Sequence, residues 1–123
     1  MKPGTAKAKG AQTEIMYVKH LVEKYNLCNV ERRHLAGALD KGDLAGWVKQ
    51  DGSKSVCCEI KSGASLSIPK WLSELKAEKK NSNADVGFVV VRPKGKPAVE
   101  DWFVLMPHPE FMELMREAGY LHD

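Results

Sequence analysis

A chain of 123 residues holds one domain, long enough for a single core and too short for two. With 43% hydrophobic and 28% charged residues it reads as an ordinary folded protein; no apolar run reaches membrane-spanning length, so no membrane partner is expected. The net charge of +3 divides unevenly: residues 1–33 carry 7 − 3 = +4, residues 34–98 carry 11 − 7 = +4, and residues 99–123 carry 1 − 6 = −5. A basic body with an acidic tail suits a polyanion on one face, although a solvated charge asymmetry looks the same on paper.

The first segment, 1–11, carries Lys2, Lys7 and Lys9 among Pro3, Gly4 and Gly10 with almost nothing to bury, and is expected to be a flexible basic arm ahead of a single domain 12–123. From Thr13, a plausible N-cap, apolar residues at Ile15, Val18, Leu21, Val22 and Tyr25 predict a helix, with Glu14 at the border of its buried stripe. An acid in a first turn is favoured by the helix dipole alone, so Glu14 has a bland explanation. Asn26 to Arg33 reads as a turn and a short strand that sends Arg32 and Arg33 to opposite faces; either can meet a phosphate. Cys28 and Cys58 are expected to be small buried hydrophobes: three cysteines without C-x-x-C spacing give neither a disulfide framework nor a zinc knuckle.

The organising stretch is Asp40 to Lys61. Leu44 to Val48 predicts one strand, Gln50-Asp51-Gly52-Ser53 a turn, and Val56 to Lys61 a second strand in which Glu59 and Lys61 share a face. The hairpin brings Asp43 back beside them. Two carboxylates and an ammonium group on one surface can bind a hard divalent cation and orient water; they also form an ordinary cross-strand ion pair. Asp40 competes with Asp43 as a ligand, and Asp43 is preferred because it starts an apolar strand. Two other Glu-x-Lys triplets, beginning at Glu74 and Glu78, fall in a helical pattern where residues two apart do not face each other.

Beyond a flexible connection at Ser62 to Ser65, Ser67 and Pro69 predict the start of a second helix, with Ile68, Trp71, Leu72 and Leu75 buried and an end near Asn81. The run Val86 to Val91 reads as a strand buried on both faces, parallel to the previous one through that helix. Arg92 to Pro97 forms a basic turn carrying Lys94 and Lys96, Trp102 to Met106 a last strand, and Pro109 to Ala118 a final amphipathic helix stopped by Gly119.

The order helix Glu14, then Gly42-Asp43-Leu44, then Glu59-Ile60-Lys61, resembles the PD-(D/E)XK nuclease superfamily, and within it the small Holliday junction resolvases of archaeal and phage type. It spans about Gly10 to Met106 and departs from the family at Gly42, where a proline is usual, and at Ile15, where a basic residue is. The resemblance implies an α/β restriction-endonuclease-like core, a mixed five-stranded sheet flanked by helices, with the C-terminal helix as an addition. It implies a magnesium-dependent endodeoxyribonuclease, with Mn²⁺ as a substitute, in which Asp43 and Glu59 hold the metal, joined by the Ile60 carbonyl. Lys61 and Glu14 complete the catalytic set, and Lys7, Lys9, Arg32, Arg33, Lys94 and Lys96 contact DNA. The expected substrate is a four-way junction, whose two symmetric cuts call for a homodimer. The expected location is the cytoplasm of a bacterial or archaeal host cell, a phage-encoded origin included. A nuclease of the same fold acting on another DNA shape, and a DNA-binding protein without turnover, are the alternatives.

Overall fold

The computed structural model describes residues 3–34, 39–63 and 67–122, with side chains from residue 10 onward. In chain order the elements are α1 (Pro3–Tyr25), β1 (Glu31–Arg32), β2 (Leu44–Ala45), β3 (Val56–Gly63), α2 (Ile68–Ser82), β4 (Val86–Pro93), a 3-10 turn (Val99–Asp101), β5 (Phe103–Leu105) and α3 (His108–Glu117). β3 and β4 run parallel with α2 as the crossover, in a register that sets Glu59 opposite Val89 and Lys61 opposite Val91. β5 returns antiparallel along β4 and forms one edge of the sheet, with β3 at the other.

This is an α/β fold, but the expected five-stranded sheet is not present. Among the described residues the strands divide into a mixed three-stranded sheet, β3-β4-β5, and a two-stranded antiparallel ribbon, β1-β2. The cause is a shift of register in the hairpin. Val48 bridges Ser55, so a regular ladder would set Ala45 opposite Cys58; instead the Asp43 amide donates to the Cys58 carbonyl at 2.9 Å. The extra residues bulge out around Gly46, whose φ of +81° and approach to Asn29, 2.0 Å from where a Cβ would sit, admit only glycine. The ribbon and the sheet meet at Asp43, whose carbonyl accepts from the Arg33 amide at 2.8 Å.

Helix α1 extends back to Pro3, through a segment the sequence assigns to a flexible arm; the side chains of Lys7 and Lys9 lie outside the described residues. Its buried face is Thr13, Tyr17 and Leu21, at i, i+4 and i+8, whereas Ile15 and Tyr25 are exposed. The predicted stripe is therefore rotated, and Thr13 is no cap: its hydroxyl accepts from Arg92 Nη1 at 3.1 Å in mid-helix. Cys28 is exposed, against expectation, while Cys58 is fully buried as expected. Helix α2 starts after Ser67 with Pro69 in its first turn and ends at Asn83 in the left-handed conformation, with φ +56°.

Side-chain alternation along β3 and β4 makes two cores. Cys58, Ile60, Phe88 and Val90 pack with Tyr17 and Leu21 of α1 and with Leu44. Cys57, Val89 and Val91 pack with Trp71 and Leu75 of α2 on the other face. Glu59 and Lys61 share the parity of Cys57, so they point into the α2 layer. Helix α3 is tied to that side of the molecule: Glu110 pairs with Lys79 and accepts from the Gly87 amide at 3.1 Å, and Glu117 pairs with Lys49 at 2.7 Å and with Lys54. No helix among the described residues is long and apolar enough to cross a membrane.

Candidate metal centre

Asp43 is held by both neighbours of its ribbon. Its amide and carbonyl are committed to Cys58 and Arg33, and its Oδ2 accepts the Ile60 amide at 2.7 Å. The shifted register leaves the Ile60 amide for a side chain to satisfy, so the bulge and the position of the carboxylate are one feature. Burial first, then the nearby Glu59, raises the Asp43 carboxyl from 3.8 to about 8, against the pull of the Ile60 amide; Glu14 adds a smaller push in the same direction.

Glu59 is only 7% exposed on a strand between two packed layers. Its Oε1 lies 3.7 Å from Lys61 Nζ, and its Oε2 is buried with no hydrogen-bond partner among the described residues. Burial, followed by the facing Glu78, raises its carboxyl from 4.5 to about 8. Lys61 donates to Glu74 Oε2 at 2.9 Å. Burial lowers the Lys61 ammonium, but the Glu74 hydrogen bond and the charges of Glu59, Glu74 and Asp43 outweigh it, so the group stands above its ordinary value and is cationic at neutral pH.

Glu78 is the residue that sequence reasoning missed. It is 2% exposed, and neither carboxyl oxygen has a partner among the described residues. Burial pushes its carboxyl up, a proton shared with Glu59 draws it partly back, and the charges of Asp40 and Asp43 add to the rise. Asp40, Glu59 and Glu78 present carboxylate oxygens all within 4.8 Å of one another. At an effective dielectric near 20, two ionised carboxylates at that separation repel by roughly 3–4 kcal/mol, so at neutral pH the group retains protons or takes up a cation. All-oxygen donors of this kind fit a hard divalent ion. Asp40, set aside in favour of Asp43 on sequence grounds, belongs to this group of three, and Asp43 does not.

The remaining predicted residues divide. Glu14 pairs with Arg32 at 3.1 Å, which joins α1 to β1 and partly neutralises both. The Arg33 Nε is buried without a partner. Lys94 and Lys96 are exposed on the turn after β4, closed by the Lys96 amide on the Pro93 carbonyl at 3.2 Å. Because Lys61 lies opposite Val91, that turn begins about 10 Å farther along the same sheet end, at 3.3 Å per residue. Glu74, an inert helical position by its spacing, is the partner of Lys61. A signal for Glu78 existed in the sequence: Trp71, Leu75 and Glu78 stand at i, i+4 and i+7, one helix face, so the stripe that buries the tryptophan buries the acid.

No protein-family model, curated protein or solved structure matches the chain.

Proposed function

We propose that the protein is a divalent-metal-dependent DNA endonuclease of the PD-(D/E)XK type that cuts four-way junctions. The observation that carries this reading is the meeting of Asp43, Glu59 and Lys61 in one partly buried patch. Asp43 is anchored by the Ile60 amide, Glu59 leaves an oxygen unpartnered, and the Lys61 ammonium sits 3.7 Å from Glu59. Asp43 and Glu59 would hold Mg²⁺ or Mn²⁺, which would supply charge neutralisation at the scissile phosphate and a water of lowered pKa. Lys61, held as a cation between Glu59 and Glu74, directs positive charge at a phosphate oxygen and orients the incoming water; its raised pKa makes it an electrostatic group and not the base. In the hydrolysis the water oxygen bonds to phosphorus, one P–O ester bond breaks, and the leaving oxygen takes up a proton.

The Lys94–Lys96 turn, at the sheet end that carries Lys61, suits the flanking phosphate backbone. Arg33 joins it in this reading, while Arg32 is held by Glu14 and has less charge to offer. Paired cuts across a junction call for a homodimer. Trp71 is buried against the sheet, as expected, and offers no surface to that interface. Among the described residues, α3 and β5 offer apolar surface for it, where Phe111, Leu114, Phe103 and Val104 are exposed.

The test is cleavage of a synthetic four-way junction beside a matched linear duplex, with Mg²⁺ and with EDTA. Magnesium-dependent cutting of the junction in preference to the duplex is expected, lost in Glu59→Ala and Lys61→Ala. Equal cutting of both DNAs would move the reading to a nuclease for another DNA shape. Binding without cutting by folded protein would make it a DNA-binding protein.

A further inference from the structure

We propose that Asp40, Glu59 and Glu78 form a second divalent-cation position, joined to the Asp43–Glu59 pair through Glu59, that fastens α2 and the loop ahead of β2 onto β3. The inference goes beyond the cleavage reading and stands whether or not the protein cuts DNA. Three separate chain segments each contribute one carboxylate, with oxygens within 4.8 Å of one another. An acidic cluster alone would not suffice, but Glu78 is 2% exposed with both oxygens unpartnered among the described residues, and Glu59 Oε2 is buried and unpartnered beside it. Polar groups taken out of water without a partner are costly, and a cation is the group that satisfies three carboxylates together.

Neither Lys61 nor Lys79 pairs with Glu78 or with the free oxygen of Glu59. Lys61 reaches Glu74 and the other oxygen of Glu59, and Lys79 pairs with Glu110. The exposed member, Asp40, is held in place: Asn81 Nδ2 donates to its carbonyl at 2.9 Å, and its Oδ1 accepts the Gly42 amide at 3.0 Å. Asn81 follows Glu78 by three residues on α2, so one helix face both holds the loop and supplies the buried ligand. The donors are all oxygen, which selects Ca²⁺, Mn²⁺ or Mg²⁺ over softer metals. Three oxygens 4.8 Å from one another, the widest spacing here, would each stand about 2.8 Å from a shared ion; Ca²⁺ bonds of about 2.4 Å require them to close to about 4.2 Å, and Mg²⁺ bonds of about 2.1 Å to about 3.6 Å.

The experiment uses the full chain without DNA, stripped with EDTA and titrated with Mn²⁺ while free ion is followed by electron paramagnetic resonance. Thermal melting with Ca²⁺ is measured alongside. Wild type is expected to bind two Mn²⁺ per chain. Glu78→Gln and Asp40→Asn each lose this position, with at least a tenfold drop in its affinity and loss of most of the Ca²⁺-induced rise in melting temperature. Asp43→Asn keeps both properties of this position. Wild-type stoichiometry in folded Glu78→Gln and Asp40→Asn overturns the assignment; a single Mn²⁺ per wild-type chain that both variants lose keeps it and removes the Asp43–Glu59 ion instead. Failure of the nuclease reading appears separately, as an absence of cleavage with these binding results intact.

Discussion

Raising pH from 5 to 8 in the presence of EDTA should destabilise this protein, and Glu59→Gln should remove much of that loss. Glu59 moves from 4.5 to about 8 on folding because its carboxyl is buried and faces Glu78. A folded pKa raised above the unfolded one means that both states hold the proton below pH 4.5. Between 4.5 and about 8 only the unfolded state releases it freely, so stability falls through that window and levels off above it. Taken alone, the Glu59 shift corresponds to roughly 5 kcal/mol at about 1.4 kcal/mol for each tenfold in proton affinity. Asp43 and Glu78 titrate in the same cluster, so the protons leave in shared steps, and a net wild-type loss of roughly 3–5 kcal/mol is expected. Against a total stability of about 5–15 kcal/mol for a domain this is a large fraction. Urea unfolding followed by far-ultraviolet circular dichroism at pH 5, 6.5 and 8, for wild type and Glu59→Gln, measures it. Wild-type stability that is flat or rises across this range, or an equal fall in the variant, would refute the argument from buried, mutually repelling carboxyls.

Gly46→Ala places a Cβ 2.0 Å from the Asn29 carbonyl oxygen at φ +81°; it should cost more than about 3 kcal/mol by denaturant titration. Gly52→Ala, at φ +78° with open space around it, should cost only about 1–2 kcal/mol. Glu74→Ala removes the 2.9 Å partner of Lys61 and should lower single-turnover cleavage about tenfold through a misplaced ammonium, with Glu74→Gln closer to wild type. Neutralising Lys94 and Lys96 together should weaken binding to all DNA sequences alike and flatten the salt dependence by up to about two counterions; a sharp change in base preference would show instead that the turn reads bases.

Local patterns determined most of the elements. The period-two alternation from Val56 to Lys61 is β3, the apolar run from Val86 is β4, and Pro69 and Asn83 bracket α2 within a residue or two of the expected ends. The parallel β3-β4 pair follows from a strand-helix-strand order, and the shared face of Glu59 and Lys61 follows from parity. Such features are set by neighbours in sequence, so they can be read there. The tertiary structure decided how the hairpin joins the sheet. A register shift at Gly46 depends on how closely Asn29 approaches, and that contact separates β1-β2 from the main sheet and fixes Asp43 on the Ile60 amide. It also decided which carboxylates meet. Asp40, Glu59 and Glu78 come from a loop, a strand and a helix, and Glu74 reaches Lys61 only because α2 crosses above β3. Sequence spacing carries no information about which elements stack. The same limit explains the rotated face of α1, where Tyr17 and Leu21 are buried and Ile15 is exposed: hydrophobicity names the residues that favour burial, and the layer packed against the helix selects among them.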